Sequence, residues 1–152
     1  MANEKKDVDE LLKTQEEVVT LTRGISMRPL LREHQDMVVI KRPVFPLKRG
    51  AVPLYRVEGR KELTLHRILR VRKDGYVIRG DNLYFKEFVR QEQIVGVMQA
   101  FYRNGKHVNC ETSFPYKLYV FWILHSYPLR AFWKKTLRPI LGKIKRAIVP
   151  KK

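Results

Sequence analysis

Apolar residues change their spacing along the chain, and each change marks a different kind of structure. Between Asp7 and Val19, the residues Val8, Leu11 and Leu12, followed by Val18 and Val19, fall on one helical face and predict a single short helix. Short apolar runs follow, bounded by turn residues. They predict strands at Met37–Ile40, Val52–Val57, Glu62–Val71, Tyr76–Arg79 and Gln93–Arg103, with Pro43, Pro46, Gly50 and Lys73-Asp74-Gly75 as punctuation. Asn104-Gly105 carries the strongest hairpin signal. Helical spacing returns in the last forty or so residues, where Leu129, Phe132, Trp133, Leu137, Ile140, Leu141, Ile144 and Ile148 recur mostly every three or four positions. Lysines and arginines fill the gaps, and Pro139 divides the stretch into two helices. The expectation is a mainly β protein: an acidic helix over 1–20, a β-rich domain over 21–111 and a basic amphipathic helical tail over 112–152.

Composition narrows the class. The 152 residues are about one domain's worth, 44% hydrophobic, and hold a single cysteine. Wholesale disorder, a disulfide framework and a multi-cysteine zinc site are all excluded. The longest apolar run, Leu118–Leu124, is far shorter than a bilayer span, and the polar first twenty residues predict no secretory signal. Net charge is +17, unevenly spread: residues 1–20 carry six acids against three lysines, whereas every charged residue after Glu111 is Lys or Arg. A cytoplasmic protein peripheral to a membrane is the expected setting.

Three short strings could carry chemistry: Gly24-Ile25-Ser26-Met27-Arg28-Pro29, His66-Arg67 and Gly80-Asp81-Asn82. Each also has an ordinary explanation. Pro29 and Gly24 suit a tight turn, as does Gly-Asp-Asn, and His66 shares the half-polar face of its strand with Thr64, Ile68 and Arg70. Spacing alone leaves a Ser–His–Asp triad and a set of turns both open.

The segment Gly24-x-Ser26-Met27-x-Pro29-Leu30-Leu31 followed by Asp36-x-Val38-Val39 resembles the nucleophile box of signal peptidase I, a superfamily that includes the self-cleaving LexA-type repressors. His66-Arg67-Ile68 is similar to the second box of its histidine-using branch, and Gly80-Asp81-Asn82 to the third. The resemblance covers roughly residues 21–102. It implies a signal-peptidase/LexA-like β-rich fold and a serine endopeptidase that cleaves a leader or precursor peptide near a membrane. It further implies Ser26 as nucleophile, His66 as base and Asp81 as the carboxylate orienting His66, with no cofactor or metal. A serine hydroxyl needs such a base near neutral pH, and neutral imidazole is available there. The backbone N–H groups of Ser26 and Met27 are the expected oxyanion donors. The same resemblance admits a LexA-like self-cleaving regulator, though no Ala-Gly pair precedes Ser26. A non-catalytic module on the same scaffold is the alternative from a different class. His34, His107, Cys110 and His125 lack the company a metal or nucleophile site needs.

The tail mixes Tyr116, Tyr119, Phe121, Trp122, Phe132 and Trp133 with cations, the composition of interfacial helices on anionic lipid. Expected membrane contacts are Trp122, Trp133, Lys134, Lys135, Leu137, Arg138, Leu141, Ile144 and Lys145. Packing of the tail on the β domain is the rival reading, and nucleic acid is a lesser one, since no nucleic-acid module is recognisable.

Overall fold

A computed structural model describes residues 8–60 and 62–127, and among these the protein is mainly β. In chain order the elements are α1 (Val8–Thr14), β1 (Glu17–Leu21), β2 (Met37–Lys41), β3 (Pro53–Arg56), β4 (Leu63–Leu65), β5 (Arg67–Val71), β6 (Tyr76–Arg79), β7 (Glu87–Val89), β8 (Ile94–Arg103), β9 (Lys106–Asn109) and α2 (Phe114–His125). They build a six-stranded sheet in the order β1-β2-β8-β3-β4, with β9 also paired to β8, and a three-stranded sheet in the order β5-β6-β7. All pairings are antiparallel. Strand β8 is the spine. It pairs with β2 through Val97–Tyr102, while β3 and β9 take opposite ends of its other edge.

Most of the expected strands are present, and the departures have physical causes. The first helix stops at Thr14, where the Thr14 hydroxyl donates to the Leu11 carbonyl (3.1 Å). Val18 and Val19 belong to β1 and pair with Ile40 and Val39. Two adjacent β-branched residues, one buried and one exposed, satisfy a strand's period of two better than a helix. The single strand expected over Glu62–Val71 breaks at His66 into β4 and β5, which join different sheets. Asn104 and Gly105 form the expected hairpin with φ of 51° and 74°, the two positive values that a tight two-residue turn demands.

The tail expectation meets a mixed result. Helix α2 begins at a Ser113 cap whose hydroxyl accepts from the Tyr116 N–H (3.4 Å). It is not amphipathic in the expected sense: Lys117 and His125 are its only basic residues, and apolar side chains surround it. One face packs inward, with Tyr116 and Ile123 buried. Trp133, Lys134, Lys135, Leu137, Arg138, Leu141, Ile144 and Lys145 lie outside the described residues, as does the Pro139 break.

Two apolar clusters hold the described residues together. The larger gathers Leu12, Val18, Met27, Leu30, Leu31, Val38, Ile40, Val52, Leu54, Met98, Phe101 and Tyr116, joining both helices to the six-stranded sheet. The smaller gathers Leu47, Tyr55, Ile68, Tyr76, Ile78, Val89 and Ile94 against the three-stranded sheet. Each fully buried aliphatic contributes about 1.5–3 kcal/mol relative to exposure. No described helix is long and apolar enough to cross a membrane.

Candidate active site

Ser26 sits on a turn anchored from beneath. Met27, Leu30 and Leu31 are buried in the larger cluster, and the Leu31 N–H donates to the Met27 carbonyl (3.0 Å). Thr22 and Asp36 staple the ends of the loop. The Thr22 hydroxyl donates to the Asp36 and Arg32 carbonyls (2.8 Å each), and buried Asp36 accepts from the Arg32 N–H (2.8 Å) and from its guanidinium (2.6 Å). Apolar side chains thus pull one side of the loop into the core and leave Ser26 partly exposed at its crest.

The third string lies against the first. The Asn82 N–H donates to the Ser26 carbonyl (2.8 Å), and the Asn82 side-chain amide donates to the Ile25 carbonyl (3.2 Å). Gly80 permits this approach, because a Cβ there would stand 2.7 Å from the Ser26 carbonyl oxygen. The Ser26 and Met27 N–H groups make no hydrogen bond with the described residues, which leaves both available as donors to a developing oxyanion.

His66 is 4% exposed, at the break between β4 and β5. Its Nδ1 closes a triangle with two oxygens: Tyr55 Oη at 2.9 Å and Glu87 Oε2 at 3.0 Å, with 2.6 Å between those two. The short Tyr55–Glu87 contact takes the only phenolic proton, and a carboxylate has none to give. The remaining proton in the triangle is therefore carried by His66 Nδ1, which leaves Nε2 with its lone pair. Burial pushes the imidazole below its ordinary pKa, while the Glu87 contact and the more distant Asp81 push it up. Burial, reinforced by Glu87, likewise holds the Tyr55 phenol far above its usual range, so it stays a donor.

Asp81 does something other than the sequence suggests. Its two oxygens form a bidentate pair with Arg67, Oδ1 with Nε (2.8 Å) and Oδ2 with Nη2 (2.7 Å), and Oδ2 also accepts from the Tyr119 hydroxyl (2.9 Å). Arg67, fully buried, also donates to the Gly50 carbonyl (2.8 Å) and the Tyr116 hydroxyl (3.2 Å). The carboxylate at His66 Nδ1 is Glu87. Asp81 instead ties the Gly80–Asn82 turn to β5 and α2. The sequence carried only a thin signal for Glu87, an acid before Phe88-Val89, and none that singled out Tyr55.

The structure brings the Ser26 turn and the Gly80–Asn82 turn into contact, and places His66 next in the chain to Arg67, whose guanidinium holds Asp81 of the second turn. It does not join Ser26 to His66, since the Ser26 hydroxyl makes no hydrogen bond with the described residues. Ser26 opens onto a groove of about 890 Å³ whose walls also include Thr20–Gly24 and Glu62–Leu65. Strands β1 and β4, the two ends of the six-stranded sheet's pairing order, therefore both border it. The lining is mixed: Leu21, Leu31, Val38, Leu54 and Leu63 supply apolar surface, and Arg23, His34, Arg60 and Glu62 supply polar and charged groups. Cys110 offers no rival nucleophile, because burial pushes its thiol up to about 11. Comparison with protein-family models, with curated proteins and with solved structures returned no match to this chain.

Proposed function

We propose that the protein is a serine endopeptidase of the signal-peptidase type, with Ser26 as nucleophile, His66 as general base and Glu87, assisted by Tyr55, as the group that orients the base. The observation that carries this reading is the placement of Glu87 Oε2 (3.0 Å) and Tyr55 Oη (2.9 Å) on the Nδ1 of buried His66. A buried imidazole fixed as the Nδ1–H tautomer against a carboxylate is what a serine nucleophile requires of its partner. The groove supports a peptide substrate: an extended segment laid between two edge strands would gain main-chain hydrogen bonds from both and set alternate side chains against its apolar residues.

In the proposed reaction a substrate peptide settles over the Ser26 turn and Ser26 Oγ engages His66 Nε2. Oγ attacks the scissile carbonyl carbon as its proton passes to Nε2, giving a tetrahedral oxyanion that the N–H groups of Ser26 and Met27 receive. Collapse breaks the C–N bond, and His66 returns the proton to the leaving amine. Water, deprotonated by the same nitrogen, then releases the acyl group from Ser26. Glu87 stabilises the imidazolium formed in both halves.

A fluorophosphonate probe tests this directly. The wild-type chain should be labelled and Ser26→Ala should not; equal labelling of the two, or labelling of neither under conditions where a control serine peptidase reacts, refutes the nucleophile. A chain that shortens itself on standing at a rate independent of concentration would point to the self-cleaving regulator instead.

A further inference from the structure

Helix α2 has two different faces. Its inner face grips the candidate site: Tyr119 donates to Asp81 (2.9 Å), Tyr116 accepts from Arg67 (3.2 Å), and Ile123 is buried. Its outer face is apolar and open to solvent, with Phe114 73%, Leu118 58%, Phe121 62% and Trp122 46% exposed. Positions 114, 118, 121 and 122 follow the i, i+4, i+7, i+8 pattern of one continuous stripe. A large aromatic and aliphatic stripe of this kind is uncommon on a surface that only ever meets water.

We infer that this stripe docks on an anionic lipid surface, placing α2 flat in the interface with Trp122 at headgroup depth. Charge selects lipid over other occupants. Lys117 flanks the stripe, and all further charged residues to the end of the sequence are Lys or Arg. A second copy of the chain would bring Lys117 against its own like charge and offer no anion to the cationic sequence that follows α2, whereas a lipid surface offers phosphate headgroups to both and acyl chains to Phe121 and Leu118. The aromatic content fits too, since Trp and Tyr favour the boundary between headgroup and hydrocarbon. The inference goes beyond the peptidase reading and does not depend on it, because lipid binding needs no catalysis.

The test uses the full chain and two kinds of vesicle, phosphatidylcholine alone and phosphatidylcholine mixed with phosphatidylglycerol. Wild-type protein should sediment with the mixed vesicles and far less with the neutral ones. Trp133→Phe leaves Trp122 as the only indole, and its emission should shift to the blue on mixed vesicles. Leu118→Ser with Phe121→Ser, both at exposed positions, should weaken binding by more than about tenfold. Unchanged binding of that double variant would show that cations alone hold the protein to lipid and would overturn the inference. An unshifted Trp122 emission would overturn it without any variant in the stripe. A dimer that the double variant dissociates would assign the stripe to a second copy, with the same result.

Discussion

At His66 two opposing influences meet. Burial disfavours the imidazolium and Glu87 favours it, with burial the larger, so the group titrates below the ordinary histidine value. Peptidase activity, as kcat/KM, should therefore rise through a pKa below ~6.5 and reach its plateau by neutral pH. Glu87→Gln removes an influence that raises the pKa, so the acid limb should move lower still while the plateau falls by about 10²–10⁴-fold, the scale of a lost orienting carboxylate. An acid limb that stays in place would remove Glu87 from the base. Stability follows the same sign. Because the folded pKa is depressed, the unfolded chain takes up a proton first, so the His66 contribution is full above ~6.5 and is lost as pH falls towards the folded value. Asp81→Asn should behave differently. It strips one partner from buried Arg67 and should cost about 3–5 kcal/mol in denaturant unfolding, while moving the acid limb in the same direction as Glu87→Gln but by less, since Asp81 is the smaller of the two influences that raise the His66 pKa. Asp81→Asn protein that stays stable but loses its activity would restore Asp81 to the catalytic role the sequence suggests.

Among the elements, turns do the positioning. The Gly80–Asn82 turn touches the backbone of Ser26 on one side and, through Asp81, Arg67 and α2 on the other. Gly80→Ala would drive a methyl into the Ser26 carbonyl and push the two turns apart. A folded Gly80→Ala protein should lose kcat more than KM, measurable on any cleaved peptide, whereas unchanged kcat would show that the two turns move independently. Much of this level was legible in the sequence, because turn chemistry is local. Gly24, Asn104 and Gly105 take their positive φ from residue type, and β2, β3, β6 and β8 announce themselves by apolar runs. What escaped depends on tertiary context. Val18 and Val19 fit a helix face until β2 offers them partners, and β4 and β5 read as one strand because nothing in Leu63–Val71 records that its halves join different sheets. Glu87 and Tyr55 are 32 residues apart, and no local pattern can pair them. The three strings stood out in the sequence, but which acid meets the histidine was decided by folding.

Across the whole molecule, α2 is where the core and the basic end of the chain meet. Ending the chain after Cys110 deletes buried Tyr116 and Ile123, a loss of about 1.5–3 kcal/mol for each, and takes the Tyr116 hydroxyl from Arg67. That truncation should abolish cooperative melting, whereas ending after Tyr127 keeps every described residue of both apolar clusters. Circular dichroism of the two truncations separates an integral α2 from a detachable anchor. The break of the chain at His66 has a further consequence. Glu87 rides on β7, a three-residue strand at the edge of the smaller sheet that, among the described residues, pairs only with β6. The least protected amides of a sheet are those of short edge strands, and a sub-global opening that frees β7 would release the imidazole while the larger sheet stays intact. Inactivation should then precede unfolding: in a urea titration the loss of turnover should come before the loss of strand signal, and the amides of Glu87–Val89 should exchange with deuterium ahead of those of β8. The histidine would report the integrity of the smaller sheet, and a chain that is still mostly folded could already be switched off.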